Sequence, residues 1–276
     1  MLQPEDCTVP LPTPQDFEDP NDPRSEIFCR YVTVISIMGD LCVIITRKGQ
    51  ISGSDRYEIA MRLLQFVASL PESLRLYTPA GVARQYNYDL AQLHVPILIS
   101  LAILFRPRTI HQLAGPNAAS VTAAFLLFRI FEAIELREHT RYLASGYGWY
   151  FLVTAMPLLS CTKVAALRQE ADQALDSLEN ALTVLGKFKP AAANNLRNVQ
   201  AIRKAMSSRA SASTPNTIEQ DGASIRVGRQ ILEVYGLGAI RQYEQITDIL
   251  TAHKSSMVSH ANDRTFESGR ILMCLV

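Results

Sequence analysis

No two of the five cysteines stand as Cys-x-x-Cys; they lie at Cys7, Cys29, Cys42, Cys161 and Cys274. An odd, scattered set excludes a small disulfide scaffold and the paired-thiolate spacing of structural zinc, and predicts a reducing, intracellular compartment. The five histidines (His94, His111, His139, His253 and His260) never fall four apart around an acid, so the helical zinc-hydrolase pattern is missing. Glycine gives no phosphate cradle: Gly236-Leu237-Gly238 lacks a third glycine and a preceding strand, and reads as a turn. Ser52-Gly53-Ser54 does not match a nucleophile elbow. There is no paired-aspartate run to hold a magnesium diphosphate, which argues against an all-α terpenoid enzyme. Charged residues are only 19% of the chain and the formal net charge is +1, so nothing draws the whole molecule to nucleic acid or to an anionic membrane. The opening Met-Leu-Gln-Pro-Glu-Asp-Cys has no basic or apolar leader region, and no signal peptide is read there.

What the 276 residues do contain is apolar material, 48% of the chain, enough to build a sizeable core. Residues 1–24 hold six prolines and six acids and read as an extended or disordered segment. Helical patterning begins near Glu26. Val34, Ile37, Leu41, Ile44 and Ile45 share one helical face, although their β-branching leaves a strand open. Ile59, Leu63, Phe66, Val67 and Leu70 make a clearer stripe that Pro71 ends.

Asn87 to Phe105 reads as a helix that Pro96 should kink or split, with Arg106 near its last carbonyls and Pro107 as its stop. Apolar stretches follow at Ala118–Glu138 and Trp149–Cys161, the second interrupted by Pro157. Val164, Leu167, Ala171, Ala174, Leu178, Ala181 and Leu185 step by threes and fours. They predict a helix over 165–185 that packs inside its own domain, with a dimeric coiled coil as the other reading. Residues 207–224 read as a linker or loop and 225–276 as a helical tail, leaving 25–206 as the main helical domain. The fold class is all-α, with a central buried helix at 93–105.

A membrane span needs about 20 apolar residues, and the run Val95–Phe105 reaches only about half of that. The run near Phe125 is cut by Arg129, Glu132 and Glu135, and each charge at mid-bilayer costs about 3 kcal/mol. These runs are therefore read as core helices, and no membrane partner is expected.

Two side-chain series merit weighing for function. Glu132, Glu135 and Glu138 stand three apart, but His139 falls one residue late for a carboxylate-bridged metal pair. They read as a solvated helix face beside Arg129, Arg137 and Arg141. His94 on its apolar helix reads as a satisfied core histidine. Between Asn180 and Ile218 there are six bases and no acid: Lys187, Lys189, Arg197, Arg203, Lys204 and Arg209. They form a candidate nuclear-import or nucleic-acid patch, against the plainer reading of a solvated helix and loop. Only Phe188 interleaves to stack a base.

Four segments carry a family resemblance. Leu-His-Val-Pro-Ile-Leu-Ile-Ser-Leu-Ala-Ile-Leu-Phe-Arg-Pro (93–107) resembles the helix ending in an Arg-Pro step of the fungal-specific transcription factor domain. That domain is the middle homology region of fungal binuclear zinc-cluster regulators. Val9-Pro10-Leu11-Pro12-Thr13-Pro14-Gln15-Asp16-Phe17-Glu18 resembles its acidic, proline-bearing opening. Ser69-Leu70-Pro71-Glu72-Ser73-Leu74 resembles the Leu-Pro-x-x-Leu step before the long helix. Lys187-Phe188-Lys189-Pro190-Ala191 resembles the aromatic-then-Ala segment after a heptad-like helix. Order and spacing agree over about residues 8–205.

The resemblance implies an all-α regulatory domain in the nucleus, controlling a metabolic or secondary-metabolite gene cluster. Implied partners are the transcription machinery or another DNA-binding protein. A homodimer through residues 164–185 is a further expectation. Family members read DNA with a six-cysteine cluster holding two zinc ions. This sequence has no such array, so direct DNA binding is not expected, and zinc is expected only in an upstream six-cysteine module. No catalytic, cofactor-binding or metal-binding residue carries over, and the chain is read as a non-enzyme. The rival readings are an all-α enzyme of secondary metabolism with acids or histidines converging around Glu132, Glu135 or His94, and a helical protein-interaction module.

Overall fold

The computed structural model describes residues 9–49, 51–78, 80–106, 117–208 and 222–273. Among the described residues there are nine α-helices and no strand; a lone bridge between Tyr77 and Ala83 closes a short turn. The helices are α1 (Pro23–Lys48), α2 (Gly53–Ala68), α3 (Tyr88–Leu104), α4 (Ala118–Glu135), α5 (Tyr147–Cys161), α6 (Arg168–Phe188), α7 (Pro190–Ser208), α8 (Gly222–Glu233) and α9 (Gly236–Met273).

Local chemistry sets many of the boundaries. The Asp22 carboxylate accepts from the Arg24 amide at 2.8 Å, with Pro23 as the first helical residue of α1, where its missing N–H costs nothing. Gly49, at φ 67°, ends the same helix in the left-handed conformation. The Ser52 hydroxyl accepts from the Asp55 amide to start α2, and the Asn87 side chain accepts from the Leu90 amide to start α3. Asn117 accepts from both the Ala119 and Ser120 amides at the head of α4.

Val34 to Ile45 is helical, so the strand alternative fails: β-branching is a weak preference beside the burial of Val34, Ile37 and Leu41. α3 runs unbroken from Tyr88 to Leu104 with Pro96 inside it, and the expected split does not occur. Every residue from Leu93 to Phe105 is buried against α1, α2, α4 and α5. Each large apolar side chain so buried contributes about 1.5–3 kcal/mol, which outweighs the one backbone bond that proline removes.

At the end of this helix the buried Arg56 of α2 meets a terminal carbonyl, its Nε donating to Leu104 O at 3.0 Å. Pro107 and Arg209 lie outside the described residues.

All seven members of the 164–185 stripe are buried within the chain, against α4, α5 and α7. α6 itself begins at Arg168, so Val164 and Leu167 sit in the turn before it. α8 starts at Gly222, inside the segment read as linker, and packs on α2; α9 packs on α4. Gly228 lets α8 approach closely, since a Cβ there would stand 3.0 Å from the Phe105 ring.

The apolar runs weighed as membrane spans are not the ones that pass the length test. Among the described residues α1 alone is long and apolar enough to cross a membrane by length and composition, and 33% of its most apolar window is buried.

Candidate functional site

The basic segment is reshaped by the α6–α7 hairpin. Lys187 lies in the last turn of α6 and Lys189 caps it, with Pro190 opening α7. This tight corner folds α7 back along α6, which brings Arg203 opposite the acids two turns and more before the corner. Its guanidinium contacts Asp172 at 3.0 Å, Asp176 at 2.6 Å and Glu179 at 3.0 Å. Burial opposes the Arg203 charge, but the bonds from Asp176 and Glu179 prevail and hold its pKa above the ordinary value. Gln200 donates to Glu179 at 3.2 Å, and Arg197 donates to Asn194 on its own helix. Segregation of charge along the sequence is thus undone in space, at least around Arg203. A linear window that stops at Asn180 misses the three carboxylates.

His94, near the middle of α3, is 1% exposed. Its Nε2–H donates to the Leu74 carbonyl at 2.8 Å, because a carbonyl oxygen can only accept. Nδ1 therefore accepts, taking the Tyr235 hydroxyl at 3.1 Å. Burial lowers the His94 pKa to about 4, with the Leu74 bond acting weakly in the other direction, so the ring is neutral near pH 7. Both ring nitrogens are engaged, which matches a satisfied core histidine. The partner from the α8–α9 turn stands 141 residues away, and no sequence pattern points to it. That turn is tight: Gly236 has φ 81° and a Cβ there would stand 3.0 Å from the Gly81 Cα.

The glutamates do not converge with His94. Glu132 and Glu138 are exposed and Glu135 is half-buried, its carboxyl raised by burial and by the neighbouring Glu132. Arg137 lies 4.1 Å over the Tyr86 ring and Arg141 4.8 Å over Tyr142.

A cluster unforeseen in the sequence gathers where the head of α3 meets the 3-10 turn His139–Tyr142. Tyr86 Oη and His139 Nδ1 are 3.1 Å apart, and the Tyr88 ring meets the His139 ring edge-on at 5.1 Å. The Tyr88 hydroxyl is buried without a hydrogen-bond partner. Burial, with Tyr86 and Asp89 adding to it, pushes its pKa up to about 12.

Cys29, Cys42 and Cys161 are free thiols; Cys7 and Cys274 lie outside the described residues. Among the described residues no three metal-ligating side chains gather. A cleft of about 400 Å³ opens between the heads of α1 and α3, with Leu74, Leu90, Asp22 and Glu26 among the residues that line it. Those two carboxylates are engaged by Arg24 and Arg30.

No family model matches the chain, and no curated protein or solved structure matches it.

Proposed function

We propose that this chain is a transcription-regulatory domain of the fungal zinc-cluster type, working in the nucleus without its own DNA-reading cluster. In this reading it has no catalytic role. It acts through the transcription machinery or through another DNA-binding protein, and its targets are the genes of a metabolic or secondary-metabolite cluster.

The observation that supports this best joins two of the four family-like segments. Leu74 closes the Ser69–Leu74 step and His94 is the second residue of the Leu93–Pro107 segment, and the two are hydrogen-bonded at 2.8 Å. Segments that resemble one family in order along the chain are therefore neighbours in space, as parts of one packed unit should be. His94 serves this junction with Nε2 and meets Tyr235 with Nδ1, which favours a structural role for it over a ligand or a catalytic base.

The test is deletion of the gene in its source organism, with transcript measurement and localisation of a fluorescent fusion. A nuclear fusion and a several-fold change in a contiguous set of metabolic transcripts are expected. A cytosolic fusion with unchanged transcripts would contradict the proposal.

A further inference from the structure

Val9 to Asp22 runs over the surface with no α-helix and one 3-10 turn, Pro14–Asp16. Pro10, Pro12, Pro14 and Pro20 bias it toward extended backbone. Thr13, at its middle, is exposed and extended, with φ −115° and ψ 159°. An enzyme that modifies a side chain needs it presented in this way, on an accessible, irregular segment.

The residue after Thr13 is Pro14. A Thr-Pro step is what a proline-directed protein kinase reads, because its subsite after the acceptor takes a residue with no amide hydrogen. Two further Thr-Pro steps occur, Thr78-Pro79 and Thr214-Pro215. Thr78 is half-buried, and its hydroxyl accepts from the Val82 amide at 3.2 Å inside a tight turn. Thr214 lies outside the described residues.

We propose that Thr13 is a phosphorylation site for a proline-directed protein kinase, and that the phosphate releases this segment from α1. The proposal does not depend on the function inferred above. In the transfer, Thr13 Oγ1 attacks the γ-phosphorus of ATP and a new O–P bond forms. The bond from that phosphorus to the bridging oxygen breaks, ADP leaves with the electron pair, and the hydroxyl proton passes to the carboxylate base of the kinase.

The release follows from what Thr13 does when unmodified. Its hydroxyl donates to Asp16 Oδ2 at 3.0 Å, and its amide donates to the same oxygen at 2.7 Å. The turn so closed delivers Phe17, whose ring meets Phe28 of α1 edge-on at 5.6 Å. It also sets Pro14 in the lining of the cleft that Leu74 and Leu90 share. Phosphorylation removes the hydroxyl donor and brings about −2 charge against Asp16, with Glu18 and Asp19 next along the chain. The nearest base in sequence, Arg24, is held by Asp22 at 2.7 Å. A single turn has little stability of its own, so this repulsion opens it. Phe17 then leaves Phe28, and Pro14 withdraws from the cleft.

The test treats the full chain with ATP, magnesium and, in separate reactions, a mitogen-activated and a cyclin-dependent protein kinase. Peptide mass spectrometry then locates the phosphate. Phosphate on Thr13 and none on Thr78 is expected. Pro14→Ala keeps the acceptor hydroxyl and should lose the labelling, with an unchanged circular dichroism spectrum and thermal transition. Chymotryptic cleavage after Phe17 should be several-fold faster in the phosphorylated chain than in the unmodified one. A Thr13 that neither kinase labels overturns the site, and so does equal labelling of Pro14→Ala. Cleavage after Phe17 that is no faster with the phosphate in place overturns the release.

Discussion

At the scale of single residues, His94 sets a pH dependence with a definite sign. Its folded pKa of about 4 lies below the ordinary 6.5, so between these values the unfolded chain binds more protons than the folded one. The stability it contributes is fully present above about pH 6.5 and is lost as the pH falls toward about 4, by roughly 3 kcal/mol across the window. Urea unfolding at about pH 7, about 5.5 and about 4.5 should show that decline, and His94→Gln should flatten it. The carboxylates with lowered pKa values, Asp16, Asp22 and Asp55, start from 3.8 and titrate below this window.

A second buried polar group makes an opposite prediction. The Thr122 hydroxyl of α4 is enclosed and has no hydrogen-bond partner. Thr122→Val keeps the shape and removes the unsatisfied oxygen, so a gain of about 1 kcal/mol is expected in the same unfolding assay.

At the scale of elements, the corner between α6 and α7 and the turn between α8 and α9 carry most of what local pattern did not reveal. Gly236→Ala meets both a positive φ and the Gly81 backbone, and a loss of about 2 kcal/mol or more is expected in thermal unfolding. Arg203→Ala removes a partly exposed network. It should cost no more than about 1 kcal/mol, and raising the salt concentration should reduce that cost. Leu178→Lys places a charge where the side chain is 1% exposed, so it should unfold the domain rather than alter its oligomeric state.

Much of the layout was legible in the sequence wherever one local cause decides it. Asn87 was read as the start of the α3 stretch, Pro71 ended the run after α2, and the spacing of Ala171, Ala174 and Leu178 marked α6. The illegible parts depend on tertiary pairing. The carboxylates around Arg203 are met only once the hairpin folds, the Leu104 carbonyl goes to Arg56 of another helix, and Tyr235 reaches His94 across most of the chain. α1 was read as helical from Glu26 with a strand left open by the β-branching within Val34–Ile45, and it is the burial of Val34, Ile37 and Leu41 that decides for the helix.

At the scale of the whole molecule, α8 and α9 are tied to the helices before them. α8 covers α2, α9 covers α4, and the Tyr235 hydroxyl joins their turn to the middle of α3. A regulatory domain in which early and late helices share one core would respond as a unit to a partner docked on any side, through differences in packing between its states. The proposed reading as a transcription regulator rests on two family-like segments joined through Leu74 and His94, and it is the central claim. It is tested most directly by tethering the chain to a heterologous DNA-binding domain above a reporter gene, beside a core-disrupted Leu98→Asp control at matched nuclear abundance. The reporter is expected to move several-fold up or down with the wild-type chain and to return to the level of the DNA-binding domain alone with Leu98→Asp. A wild-type chain that is folded, nuclear and without effect on the reporter would contradict the account.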